Sequence, residues 1–136
     1  MANPNKRKGT AWESAVVTFL RGRLAGAGLA GLDDIRRQVQ MGRADIGDVH
    51  AAPFVLECKN TAQLTLSAFV DQANREARNA QLDADMHGTA GRRYFGVAVV
   101  KRRGKGTGDG YAVMDLETFA RVLAVIRANS DRTREP

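Results

Sequence analysis

The stretch GDVHAAPFVLECK, residues 47–59, decides how the rest of this chain is interpreted. Its residues favour two short strands, around 45–50 and 53–59, with a tight turn at 51–52 between them. Two strands joined by so short a turn form an antiparallel β-hairpin. The sequence therefore predicts a hairpin whose second strand is apolar until it ends in charged residues.

Three charged side chains lie on this hairpin. Asp48 is on the first strand, and Glu57 and Lys59 are two residues apart on the second, so both leave the same face. An unpaired charge at the end of an apolar strand costs desolvation free energy. Asp48 and Glu57 can bind a hard divalent cation across the hairpin, with the backbone carbonyl of Cys58 as a third oxygen ligand. Lys59 can then orient a water or stabilise charge that develops on a phosphate.

Each of these residues also has an alternative interpretation. Glu57 and Lys59 can form an ion pair on the solvated face of an edge strand. Asp45 competes with Asp48 for the place opposite Glu57, although the shorter hairpin favours Asp48. The Cys58 thiol leaves the opposite face of the sheet, which favours a small core residue over a nucleophile.

Hydrophobic periodicity divides the chain into eight elements in the order α-β-β-β-α-β-β-α. They are a helix from Thr10 to Leu24, a strand at Ile35–Met41, the hairpin, a helix at Leu66–Leu82, strands at Tyr94–Lys101 and Tyr111–Met114, and a helix after Asp115. The strand–helix–strand order in the middle implies a parallel crossover, and the hairpins imply antiparallel pairs. An α/β fold with a mixed β-sheet flanked by helices follows.

The two ends of the chain are expected to lie outside the folded domain. Residues 1–8 look like a flexible basic arm, because Thr10 and Glu13 have the spacing of a capping box that starts the first helix. Residues 128–136 are expected to form a disordered tail, which leaves 9–127 as a single domain. The side chains expected to face the core from the last helix are Phe119, Val122, Leu123 and Ile126.

The chain is basic, with 21 Lys and Arg against 15 Asp and Glu in 136 residues, a formal charge of +6. An isoelectric point near 10.1 in a small domain is typical of nucleic-acid binding, and an anionic membrane surface is the weaker alternative. Such charges neutralise phosphates without reading sequence. The residues expected to contact DNA are Lys6, Arg7, Lys8, Arg36, Arg37, Lys101, Arg102, Arg103 and Lys105.

Composition also excludes several classes of protein. With one cysteine, Cys58, and two histidines, neither an intramolecular disulfide nor a structural Cys/His zinc site is possible. No apolar run approaches the roughly 20 residues of a membrane span. The basic N-terminus is not followed by the apolar segment of a signal peptide. We therefore expect a soluble cytoplasmic protein without a membrane partner.

These features together resemble the PD-(D/E)xK nuclease superfamily, and more closely the archaeal-type Holliday junction resolvases and their phage relatives. The matching residues are a basic arm ending in Lys8-Gly9, then Glu13, Gly47-Asp48, Glu57-x-Lys59, Gln72 and a strand ending at Lys101. The match spans about residues 6–120 and implies a restriction-endonuclease-like core in a bacterial or phage-infected cell. One departure is Gly47, where the family often has proline before the aspartate.

The resemblance implies a role for each matched residue. Asp48 and Glu57 bind the metal, Glu13 assists the metal site, and Lys59 is catalytic. Gln72 lies near the site, and the alternative for Gln72 is a solvated helix face. For Glu13 the alternative is helix capping alone. The implied metal is Mg²⁺, with Mn²⁺ able to substitute.

The implied function is a structure-selective DNA endonuclease, most closely a Holliday junction resolvase, that hydrolyses phosphodiester bonds with a metal-activated water. A junction presents two symmetric strands, so the resemblance also implies a homodimer with two active sites. The alternatives are another repair or restriction-type nuclease of the same superfamily, and a non-catalytic nucleic-acid-binding protein. Branched or duplex DNA is the expected partner in each case.

Overall fold

The structure is a computed structural model that describes residues 4–38, 47–88 and 93–134. It contains three α-helices and five β-strands in the order that the sequence predicts, together with two short 3₁₀ turns. The elements are α1 (Pro4–Gly26), β1 (Arg36–Arg37), β2 (Val49–Ala51), β3 (Phe54–Lys59), α2 (Leu66–Met86), β4 (Phe95–Val100), β5 (Tyr111–Val113) and α3 (Leu116–Arg134).

The strands form one five-stranded sheet in the spatial order β1-β2-β3-β4-β5. The β2–β3 and β4–β5 pairs are antiparallel, whereas β3 and β4 run parallel on either side of α2 in the chain. The mixed sheet and its parallel crossover are therefore confirmed. Because β3 and β4 both end at the same edge of the sheet, the residues that follow them, Asn60 and Lys101, lie side by side.

Helices cover both faces of the sheet. Trp12 and Val16 of α1 pack with Leu56 and Cys58 of β3 in the larger core cluster, and the indole Nε1 of Trp12 donates a hydrogen bond of 3.1 Å to the Val99 carbonyl. The thiol of Cys58 is thus a core group, as predicted. The opposite face carries α2, so Glu57 and Lys59 project towards that helix.

The predicted start of the first helix is wrong. Helix α1 begins at Pro4, so the basic residues 6–8 lie in its first two turns and Thr10 lies in its interior. The residue that indicates this earlier start is Pro4, because proline has the φ angle of a helix and its missing N–H costs nothing at the first helical position. A capping box formed by Thr10 and Glu13 is therefore excluded. Gly9 is helical despite its unfavourable propensity.

The predicted end of the last helix is also wrong, because α3 continues through residues 128–134; residues 135–136 lie outside the described part. Val122 is buried as predicted, at 8 % exposure. Phe119, Leu123 and Ile126 instead remain 50 %, 41 % and 55 % exposed. Helical periodicity groups these side chains on one face, but it does not say whether the same chain covers that face.

The first predicted strand, Ile35–Met41, is only partly described. Its observed part, β1, pairs Arg36 with His50 and Arg37 with Val49 of β2. Its remainder and the start of the next strand, residues 39–46, lie outside the described residues. In the described ranges, no helix is both long enough and apolar enough to cross a membrane.

Candidate active site

The hairpin places Asp48 opposite Glu57. The Asp48 amide donates a hydrogen bond of 3.0 Å to the Leu56 carbonyl, and the amide of Cys58 donates one of 2.9 Å to Asp48 Oδ2. The second bond fixes the carboxylate of Asp48 against the backbone of β3. The predicted pairing across the hairpin is therefore observed for Asp48, whereas its competitor, Asp45, lies outside the described residues.

A chain of polar contacts connects β3 to α2. Lys59 Nζ lies 3.0 Å from Glu57 Oε1 and donates a hydrogen bond of 2.9 Å to Gln72 Oε1. Gln72 Nε2 in turn donates one of 3.1 Å to Glu76 Oε1. The Lys59 ammonium is therefore held in one position by a carboxylate and an amide.

Burial distinguishes these residues from a surface ion pair. Glu57 is only 4 % exposed and Glu76 only 1 %, and β3 is the central strand of the sheet. An ion pair on a solvated edge strand is therefore excluded for Glu57 and Lys59. Within the described ranges, Glu57 Oε2 is buried and accepts no hydrogen bond. A buried carboxylate oxygen without a donor is costly unless a cation or proton is close to it.

Glu13 approaches this group from α1. Its side chain is largely buried, and Glu13 Oε2 lies 3.6 Å from an Arg37 guanidinium nitrogen. Arg37, which the sequence predicts to contact DNA, is the ion-pair partner of Glu13 in the structure. We call Glu13, Asp48 and Glu57 the acidic corner.

The three carboxyl groups influence one another. Burial, followed by the nearby negative charge of Glu57, raises the pKa of Asp48 to about 7, against the opposing effect of the Cys58 amide. The pKa of Glu13 is also raised, chiefly by burial; Arg37 lowers it and Glu57 raises it further. Groups whose pKa is raised by burial and like charges are typical of sites that bind a cation or transfer protons.

The structure explains why Asp48 is preceded by a glycine, Gly47, and not by a proline. The φ angle of Gly47 is +99°, in the left-handed region that glycine adopts at little cost and that proline cannot reach. A Cβ at this position would also collide with the side chain of Val55. Glycine is therefore required before Asp48 by the local backbone, and proline would not fit here.

Glu76 was not predicted as a member of the site. It lies on α2 four residues after Gln72, and this spacing places two side chains next to each other on a helix. Its burial was not predictable from that spacing. The alternative of a solvated helix face for Gln72 is not supported, because Gln72 bridges Lys59 and Glu76.

The donor set suits a hard divalent cation. Asp48 and Glu57 supply carboxylate oxygens, and the backbone carbonyl of Cys58 is the predicted third ligand. The raised pKa of Asp48 reflects burial first and the charge of Glu57 second, and a bound cation would offset both. Oxygen ligands of this kind fit Mg²⁺, which keeps several waters of its own. Among the side chains of the described ranges, no three of His, Cys, Asp or Glu converge closely enough to hold a metal by themselves. Backbone and water oxygens would have to complete the coordination.

A cleft of about 490 Å³ is lined by α1, by the residues that follow β3 and by the loop that follows β4. Its lining includes Asn60 and Trp12, the chain neighbours of Lys59 and Glu13, and no acidic residue of the described part of the chain belongs to it. The Lys59 carbonyl accepts a hydrogen bond of 3.0 Å from the Lys101 amide, which links the cleft to the site. The cations that line this basic cleft are Lys8, Lys101, Arg103 and Lys105.

The other residues predicted to contact DNA are spread more widely. Lys6 and Arg7 are exposed on the first turns of α1, and Arg36 is exposed on β1. Arg102 lies with its guanidinium 5.1 Å from the centre of the Tyr111 ring, on the side of β5. The structure thus brings four of the nine predicted cations together in the basic cleft.

Comparisons with protein-family models, curated proteins and solved structures returned no match. The chemistry and geometry of this site are therefore the basis for assigning a function.

We expect Glu13→Gln to reduce the rate of the reaction at this site at least tenfold, with little change in thermal stability. The substitution removes a negative charge from the acidic corner but keeps the size of the side chain and the position of α1. The measurements are turnover and melting temperature, with the exposed Glu117→Gln as the control. A variant with full activity would show that Glu13 serves only as the ion-pair partner of Arg37.

Proposed function

We propose that this protein is a metal-dependent DNA endonuclease of the PD-(D/E)xK type, with a restriction-endonuclease-like core. The observation that carries the proposal is the Lys59 ammonium, held by Glu57 and Gln72 on the strand that faces the carboxylate of Asp48. A buried glutamate and a half-buried aspartate next to a fixed ammonium favour a catalytic role over the binding of nucleic acid alone. In metal-dependent hydrolysis of a phosphodiester, carboxylates can hold the metal and an ammonium can stabilise charge on the phosphate.

In this proposal Asp48 and Glu57 hold Mg²⁺, which when bound lowers the pKa of a coordinated water and neutralises charge on the phosphate. Lys59 acts on the substrate directly. Its ammonium has three N–H donors, of which Glu57 and Gln72 engage two. The third can donate to a phosphoryl oxygen or hold the attacking water in line.

Gln72 and Glu76 position Lys59. The amide of Gln72 accepts from Lys59 and donates to Glu76, so its orientation is determined by both partners. Because Glu76 is buried, α2 cannot rotate without exposing or unpairing this group. The catalytic ammonium is thereby kept in place before substrate arrives, and such preorganisation is where enzymes gain most of their electrostatic stabilisation.

The basic cleft supports DNA as the substrate. The described lining of the cleft holds these four cations and no Asp or Glu side chain. A phosphate backbone bound in the cleft is therefore attracted without competition from a carboxylate of the lining. Asn60, which lines the cleft, directly follows Lys59 in the chain, and in this proposal a DNA strand bound in the cleft continues towards the site. Contacts of this kind position a substrate without reading its sequence.

A four-way junction is the substrate that the resemblance favours. The resemblance also favours a homodimer, because two symmetric strands of the junction must be cut.

The proposal is tested with labelled four-way junction, flap and linear duplex, each incubated with Mg²⁺, with Mn²⁺ or with EDTA. We expect cleavage of the junction with either metal and none with EDTA. Cleavage of the other substrates instead would indicate a different nuclease of this class, and binding without cleavage would support the non-catalytic alternative.

We expect neutralisation of the basic cleft to weaken DNA binding and to flatten its dependence on salt. The double substitution Lys101→Gln and Lys105→Gln removes two phosphate contacts, which changes the slope of log affinity against log salt by roughly 2. Dissociation constants measured across a salt series give this slope. The matched control is Arg78→Gln, a cation that lines a separate cleft beside α3. Superimposable salt curves for the double variant and the wild type would place the DNA elsewhere.

A further inference from the structure

Helix α3 is 19 residues long but is attached to the domain along one narrow stripe. Of its described side chains, only Thr118 and Val122 are buried. Its start is held by Asp115, which accepts hydrogen bonds from the Asn74 amide, at 3.0 Å, and from the Thr118 backbone amide, at 3.3 Å. A helix of this length in a small domain is normally stabilised by a wider apolar face packed on a neighbour.

A second apolar stripe on α3 lies next to the buried one. Its residues are spaced by three, four and three positions, which is the a/d spacing of helices that pack on another helix. We call it the α3 stripe. Its members are Leu116, Phe119, Leu123 and Ile126, exposed by 80 %, 50 %, 41 % and 55 %.

The α3 stripe continues into a groove of about 670 Å³ at the edge of the sheet. The groove is lined by Leu64, Leu66 and Tyr111 besides the first residues of the stripe, and none of the residues that the structure describes in its lining is charged. Strand β5 forms its floor and is the last strand of the described sheet. An uncharged edge strand next to exposed leucines is a surface that monomeric proteins avoid.

The size of this surface matches a protein interface. With about 200 Å² for each large side chain, the exposed parts of Leu64, Leu66, Tyr111 and the α3 stripe come to about 700 Å². The largest apolar patch on a typical monomer is about 300–600 Å². A stable interface of standard size buries about 800 Å² on each partner.

We propose that the α3 stripe and the adjoining groove form the interface with a second copy of this chain, related by a two-fold axis. A self-complementary contact needs the same patch on both partners, and a heptad-spaced helix face packs on a copy of itself. Nucleic acid does not fit this surface, because the stripe and the lining of the groove, over residues 4–38, 47–88 and 93–134, include no cation. The inference does not rest on the proposed nuclease activity, since the apolar surface requires a partner whatever the site catalyses.

The mass of the protein in solution tests this interface. Light scattering after gel filtration is expected to give twice the chain mass of 14.7 kDa. The double substitution Phe119→Glu and Leu123→Glu is expected to weaken the dimer at least about thirtyfold and to give the single-chain mass. The control, Ala128→Glu, changes an exposed residue on the other side of α3 and should leave the dimer intact. A wild-type monomer, or a dimer that survives the double substitution, would overturn the proposal.

Disulfide trapping gives a second measurement that does not depend on disrupting the helix. The substitution Leu123→Cys falls near the middle of the α3 stripe and is expected to give a cross-linked dimer on mild oxidation. Ala128→Cys should not give one. The native Cys58 is buried and does not contribute to either reaction. Equal cross-linking at both positions would contradict a specific interface on this face, and the outcome is independent of whether the protein cleaves DNA.

Discussion

Asp48→Asn is expected to abolish DNA cleavage and, in the absence of metal, to make the folded protein more stable above pH 7. We expect the rate to fall by at least about a thousandfold, because the variant loses a charged ligand from the acidic corner. The amide oxygen of the substituted side chain can still accept the hydrogen bond that Asp48 Oδ2 accepts from the Cys58 amide. The fold of the hairpin should therefore be preserved.

The stability gain follows from the direction of the pKa shift. The pKa of Asp48 in the folded protein is about 7, above the ordinary value of 3.8, so folding favours its protonated form. The ionised form penalises the folded state increasingly as pH rises from about 4 to about 7, and the full penalty remains above that range. Solvent screens this half-buried group, which limits the gain on removing the charge to about 1–2 kcal/mol.

Melting temperatures between pH 4 and pH 8 measure this effect, with the exposed Asp131→Asn as the control. We expect the curves of wild type and Asp48→Asn to converge near pH 4, to separate progressively between about pH 4 and about pH 7, and to keep the full difference at pH 8. Mg²⁺ should raise the melting temperature of the wild type and have little effect on the variant, because a ligand stabilises only the state that binds it. Parallel curves at all pH values would contradict a raised pKa.

Cleavage and binding assays on three further variants distinguish the roles of the residues at the site. Glu57→Gln and Lys59→Ala are expected to abolish cleavage while leaving DNA binding largely intact, since the basic cleft is unchanged. Asp45→Asn should retain activity. An inactive Asp45→Asn together with an active Asp48→Asn would assign the ligand to Asp45.

Gly96→Ala is expected to destabilise the protein by about 3 kcal/mol or more. A Cβ on Gly96 would lie 2.6 Å from the Ala73 carbonyl carbon and 2.8 Å from the Asn74 nitrogen. These are backbone atoms of α2, so the helix as a whole would have to move away from β4. Forcing extra volume into a packed core typically costs about 1–3 kcal/mol, and a rigid backbone neighbour adds to that cost.

Urea unfolding measures this change against Gly22→Ala as the matched control. Gly22 lies in α1 with open space around it, and alanine there should stabilise the protein by about 0.5–1 kcal/mol. A loss of less than about 1 kcal/mol for Gly96→Ala would mean that α2 can shift at little cost. Residual activity of the folded fraction should also fall, because α2 carries Gln72 and Glu76.

The order of the elements and the centre of the site were predictable from the sequence because they depend on short-range geometry. Side chains alternate along any strand, so Glu57 and Lys59 had to share a face. A turn at 51–52, as predicted, would place Asp48 opposite Val55; the observed pairing of Ala51 with Phe54 moves the turn to 52–53 and brings Asp48 opposite Glu57. The outer boundaries of α1 and α3 were missed because polar, helix-compatible residues at 4–9 and 128–134 carry no apolar period to reveal them.

Which part of the protein each helix face contacts was decided by the tertiary structure alone. The rotation of α2 on the sheet, fixed by the close approach of Gly96 to Ala73, turns Gln72 towards Lys59 and buries Glu76. The fold likewise pairs Arg37 with Glu13 and leaves most of the α3 stripe uncovered. A periodic pattern states which side chains lie on one side of a helix, but the contact partner depends on packing between segments that are distant in sequence.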